Sequence, residues 1–313
     1  AGSLPGPLAL HRPSLTVGPG RALESFARWV SSREYRGGLA AAGLSLVPLL
    51  SFLSGGVLVL MRLQKGAAAG WRAGALAAAV LLVFGLAAGG QLFAAASAAA
   101  VWVPALALAG QLAGSGSFSR VALAALTGAA GVAVVTHWVV RDPVSVWGPV
   151  IGELMAAIGP ADGTVSQDLV AVLAQAMPGI AAASLFLAVM IALMLGMWWH
   201  AGLTSPGAFG NAFRNLRLGK VPVIVTGLVY LLAQAAGWPV GRSLVLVLFS
   251  GLALQGLAVM HGVAAARGWP ALVLGVVYLC VVIAAPYALM ALAMLAVADA
   301  WMDFRARARG ARP

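Results

Sequence analysis

Charge is scarce in this sequence. Of 313 residues only 9% are Asp, Glu, Lys or Arg, against 62% that are hydrophobic. A soluble domain carries roughly 25% charged residues, so this chain cannot clothe a water-exposed surface. Cysteine occurs once, as Cys280 inside an apolar run. That excludes an intrachain disulfide and any cysteine-based metal motif. Nucleophile elbows, phosphate loops closing on Lys-Ser/Thr and paired-histidine zinc motifs are also missing. No catalytic residue, metal site or cofactor is expected, and the chain reads as a non-enzyme. Acidic residues are the rarer sign, 8 against 19 basic, for a net charge of +11. The arginines lie scattered between apolar runs, with no basic groove or aromatic platform, so nucleic acid is not an expected partner. The positive-inside rule and attraction to anionic membrane lipid account for the excess.

What the chain has is apolar length and 39 glycines. Pairs such as Gly85 and Gly89, or Gly128 and Gly131, are spaced for close helix packing. At about 20 apolar residues per span, the fold class is all-α: a polytopic transmembrane helical bundle of roughly seven to nine segments. Residues 1–20 are rich in Gly and Pro and read as a disordered tail without a signal-peptide core. Residues 21–37 form a basic interfacial helix, with Leu23, Phe26, Ala27 and Val30 at helical spacing. The bundle occupies 38–303, and 304–313 is a basic tail. Spans are expected near 73–89, 91–109, 121–140, 179–200, 221–237 and 243–265, with a tight turn at Gly89-Gly90-Gln91 and a flexible polar loop at 114–120. Two further runs, 38–61 and 270–299, are interrupted by Pro48 and Pro286. Between spans, 141–178 reads as an extracytoplasmic segment of short amphipathic helices broken at Gly159-Pro160 and Asp162-Gly163. Residues 201–220 read as a basic cytoplasmic loop.

Loop charge sets the orientation. The acidic 141–178 stretch belongs outside, and the 201–220 loop belongs inside with Arg62, Lys65 and Arg72. The basic N-terminal helix joins that inner face only if 38–61 is a hairpin. The arginines of the tail join it if 270–299 folds back near Pro286, or if one of the expected spans does not cross.

Polar groups at membrane depth are costly unless paired, and so are informative. Gln91, Gln111, His137 and Gln234 lie near span ends, where interfacial hydrogen bonding explains them. Gln255 is deeper, and His261, six residues on, projects about 120° away. An interhelical hydrogen bond and a solute or proton role are both open for Gln255 and His261. The candidate ligand residues are therefore Gln255, His261 and His137. Asp299, Asp303 and Arg305 read as a helix-terminal polar cluster.

Two stretches carry a resemblance. Trp198 and Trp199 end a span. Pro206, Phe209, Phe213, Arg214, Leu216 and Arg217 follow, and Trp301, Asp303, Phe304 and Arg305 close the chain. Over about its last 120 residues the sequence resembles the uncharacterised bacterial inner-membrane family called domain of unknown function 2232 (YybS-like). It departs from the pattern at Asn211-Ala212, where the family pattern has an acidic residue ahead of Phe213. The family is similar to the substrate-binding membrane subunits of energy-coupling-factor transporters. The resemblance implies a multi-pass inner-membrane protein that binds a small-molecule solute. The partner-docking set expected is Phe213, Arg214, Arg217, Lys220, Trp301, Asp303 and Arg305. The competing expectation is a non-catalytic scaffold in an envelope or other membrane complex, or a homo-oligomer.

Overall fold

The computed structural model of the protein describes residues 19–47, 50–89, 92–158 and 166–310. Their regular structure is entirely helical. The helices are Pro19–Ser32 (α1), Glu34–Ser45 (α2), Ser51–Lys65 (α3), Ala67–Ala87 (α4), Phe93–Ser115 (α5), Phe118–Val139 (α6), Pro143–Ile158 (α7), Gln167–Thr204 (α8), Ala208–Arg214 (α9), Lys220–Ala235 (α10), Pro239–Arg267 (α11), Ala271–Ile283 (α12), Ala285–Met302 (α13) and Phe304–Gly310 (α14). Among the described residues six helices, α4, α5, α6, α8, α11 and α13, are long and apolar enough to cross a membrane. The apolar α10 and α12 are shorter. The protein is a multi-pass helical membrane protein.

Small residues decide the packing. In lipid no hydrophobic force draws helices together, so contact comes from backbones that approach closely. Gly55 and Gly56 of α3 face Ala192 and Leu195 of α8, and Gly196 of α8 faces Val59. These helices therefore run in the same direction. Gly179 of α8 receives Ser243 of α11, and Gly251 of α11 receives Leu126 of α6. Phe186, Met190 and Leu193 of α8 are buried in the largest core cluster, with α5, α6 and α11 around them.

The 38–61 run is a hairpin. Lys65 Nζ donates to the Ser32 carbonyl at 2.7 Å, and Glu34 pairs with Arg72 at 2.7 Å. Gly37 lies against Met61. The start of α2 is thus beside the end of α3, and both ends share one face. The expected interfacial helix over 21–37 is two elements: α1 stops at Ser32 and α2 starts at Glu34. Phe26 of α1 sits edge-on to Trp199, with ring centroids 5.8 Å apart. Residues 1–18, Pro48, the turn at Gly90-Gln91 and the breaks over 159–165 lie outside the described residues, as does Arg312.

The 270–299 run also folds back. Tyr278 of α12 reaches His261 near the end of α11, at 3.2 Å. The chain then turns at Ala284. Leu292 of α13 packs on Gly256, and Arg305 packs on Gly262. So α12 leaves the basic face and α13 returns to it. Pro286 stands in the first turn of α13, where its missing N–H removes no helix bond. The short arms α2 and α12 have 12 and 13 residues, about 18–20 Å at 1.5 Å per residue, less than a hydrocarbon core of about 30 Å. Arg217 joined to Asp303 at 2.7 Å holds the C-terminal region on the face of the 201–220 loop.

Two expectations need correction. The segment 114–120 is not a flexible loop, because only Gly116 and Ser117 separate α5 from α6. Gly116 closes α5 at φ 62°, and Ser117 caps α6 by accepting the Arg120 N–H. The 141–178 segment does not end before a span at 179. It holds α7 and the first part of α8, which runs unbroken through Pro178 for 38 residues, about 57 Å. The surplus length packs on α7 through Ile151, Val170 and Ala174.

Candidate functional site

A cleft of about 1010 Å³ lies between α8, α9, α11 and α12. Met194 and Trp198 of α8, Phe213 and Arg214 of α9, His261 of α11 and Tyr278 of α12 line it. Its wall is overwhelmingly apolar. α12 buries no residue of its own and serves as the outer wall.

Its polar groups gather toward the basic face. His261 Nδ1 lies 2.9 Å from the Leu257 carbonyl, which can only accept, so Nδ1 carries the proton. Nε2 lies 3.2 Å from the Tyr278 hydroxyl, within hydrogen-bond distance. Phe213 packs edge-on to the His261 ring, centroids 5.2 Å apart. Arg214 Nη2 donates to Asn211 Oδ1 at 2.7 Å. The neutral Asn211 thus takes the position where a carboxylate was in question. Among the described residues Arg214 has no ion-pair partner.

Behind the cleft the 214–218 segment is clamped from two sides. Arg305 is 1% exposed. Its Nη2 binds Asp299 Oδ2 at 2.8 Å, and its Nη1 donates to the Leu216 carbonyl at 2.7 Å and the Arg214 carbonyl at 3.1 Å. Gln255 Oε1 accepts the Leu218 N–H at 2.7 Å. Outside, the Arg217 guanidinium pairs with both oxygens of Asp303 and holds its carboxyl below the ordinary carboxylate range. Both partners are nearly half exposed, so this pair contributes little stability.

The three candidate ligand residues do not converge. His261 lines the cleft. Gln255 is spent on a structural hydrogen bond within the clamp. His137 is at the far end of α6, with Nε2 2.8 Å from Ser243 Oγ. Gln111 and Gln234 are exposed, and Gln91 is outside the described residues. The expected docking set also divides by burial. Arg305 and Phe213 are buried, while Lys220 and Trp301 are exposed. Arg217 and Asp303 are half-exposed but paired with each other. Sequence reasoning missed Tyr278, Ser243 and the Leu218 N–H. None carries a periodic or motif signal, because each is defined by a neighbour distant in sequence.

Replacing Gln255 with leucine strands the buried Leu218 N–H, which costs about 1–3 kcal/mol. A lower unfolding temperature in detergent, with the Leu218 amide exchanging faster by hydrogen–deuterium exchange, is the expected result.

No protein-family model matches the chain, and no curated protein or solved structure matches it.

Proposed function

We propose that the protein is a small-molecule-binding component of the bacterial cytoplasmic membrane, and that it takes an amphipathic molecule into the α8–α12 cleft. One observation carries the reading: an apolar cleft of about 1010 Å³ whose few polar groups, Arg214, His261 and Tyr278, converge at the basic end. Ligand sites have this make-up, with apolar walls for affinity and a few placed polar groups for orientation. The apolar body would lie against Met194 and Leu257, and an anionic end would meet Arg214. The basic face is assigned to the cytoplasm on charge. The resemblance to the domain of unknown function 2232 family points the same way. The role proposed for the site is binding or transport-related.

Mass spectrometry of protein purified in mild detergent tests this reading. An amphipathic molecule should co-purify, and Met194→Trp, which fills the cleft, should lower its occupancy at least tenfold while leaving the fold intact. A stoichiometric protein partner with no small molecule would overturn the reading in favour of a scaffold role.

A further inference from the structure

A second, smaller cavity of about 350 Å³ opens on the basic face beside the clamp. Unlike the cleft, its wall is mostly polar: Arg217, Lys220, Gln255, Asp299, Asp303 and Arg305 surround it, with Gly219 at its edge. From these residues we infer that it is a binding site for a phosphodiester carrying a neighbouring hydroxyl, the chemistry of a phosphoglycerol head group.

Three features favour an anion. The 16-residue helix α10 begins at the cavity edge, and its N-cap, Gly219, supplies no side-chain cap. The N–H groups of Lys220 and Val221 have no partner within the helix, Pro222 at the third position carries none, and the helix dipole adds positive potential there. Lys220, at the first position of α10, is an exposed cation with no hydrogen bond or ion pair to the described residues. Across the wall three cations face two carboxylates, which leaves an excess of one positive charge. That excess matches a singly charged phosphodiester better than a zwitterion, which would bring no net charge.

The second requirement comes from the interior. Asp299 is 3% exposed, and only Oδ2 is used, by Arg305. Its Oδ1 has no hydrogen-bond partner among the described residues, and neither does Arg305 Nε. A buried carboxylate oxygen without a donor costs about 1–3 kcal/mol or more. Asp299 forms part of the cavity wall, so a donor arriving there can satisfy Oδ1 once a side-chain movement uncovers that sealed oxygen. A hydroxyl beside the phosphate is such a donor, and the Arg217, Lys220 and α10 side holds the phosphate itself. The cavity lies on the face where spans end and lipid head groups sit. A lipid head group and a free glycerol phosphate share this chemistry, and the test separates them.

The protein in detergent is titrated with phosphatidylglycerol or with phosphatidylcholine, and thermal stabilisation is read. Phosphatidylglycerol should stabilise and phosphatidylcholine should not. Lys220→Gln should weaken the phosphatidylglycerol effect roughly tenfold, the scale of one charge-assisted hydrogen bond. Arg309→Gln removes a charge from the same face but away from the cavity, and should leave binding unchanged. If free sn-glycerol 3-phosphate also stabilises in a Lys220-dependent way, the ligand is soluble rather than lipid, and the site stands. Equal responses to the two lipids, or equal losses in the two variants, would overturn the site and leave only surface charge. Met194→Trp should not alter the titration, so failure of the cleft reading leaves this one testable.

Discussion

Replacing Arg305 with methionine is expected to destabilise the folded protein by about 3–5 kcal/mol. The guanidinium is the counter-charge of Asp299, and their side chains are 1% and 2% exposed. Its loss would leave a carboxylate buried and uncompensated. It would also remove the donors that the Leu216 and Arg214 carbonyls use, and so release the 214–218 segment. Asp299→Leu alone should be about as damaging, since Arg305 would then be the stranded charge. The double variant, Asp299→Leu with Arg305→Met, should recover at least half of the loss, because apolar groups of similar volume commonly replace a buried pair at little cost. Thermal unfolding followed by tryptophan fluorescence in one detergent checks this. A double variant no better than the worse single one would mean that the carbonyl contacts, rather than the charge pairing, carry the effect.

Gly256→Ala is expected to cost roughly 1–3 kcal/mol. A Cβ at this position would collide with the Leu292 backbone of α13, which cannot move aside as the tip of a flexible side chain can. The α11–α13 contact holds the second hairpin, so the strain should appear as faster proteolysis around 284 as well as a lower unfolding temperature. Gly275→Ala on α12 is the matched control. Nothing lies within 4 Å of a Cβ there, so helix propensity alone should make it neutral or stabilising by up to about 1 kcal/mol. Equal melting temperatures for the two variants would remove the close-packing account of Gly256.

The two positions differ in how well the sequence announced them. Asp299, Asp303 and Arg305 stood out as polar residues at the end of an apolar run. Nothing in that pattern distinguished a buried pair from an exposed one. Arg305 and Arg217 are both arginines beside carboxylates, yet one is interior and the other half exposed. The difference arises because Arg305 meets carbonyls 89 and 91 residues away. Gly256 was one glycine among 39, and only the arrival of Leu292 singles it out. Gln255 had two readings on sequence, and its oxygen is taken by the Leu218 N–H of the segment between α9 and α10 rather than by a group on another helix.

Composition alone determined that the chain is a helical membrane protein, since so few charges cannot cover a soluble surface. Loop charge grouped the basic segments on one side. Proline and glycine marked 38–61 and 270–299 as runs that need not cross. Tertiary structure decided that both runs turn back, that α8 passes through Pro178, and that His137, Gln255 and His261 serve three separate places. The reason is the solvent. In water an amphipathic pattern reveals which face of a helix is buried, but lipid accepts apolar side chains on every face. Which sides meet is then set by where glycine lets backbones close and where a buried polar group finds its partner, and neither is written in local periodicity.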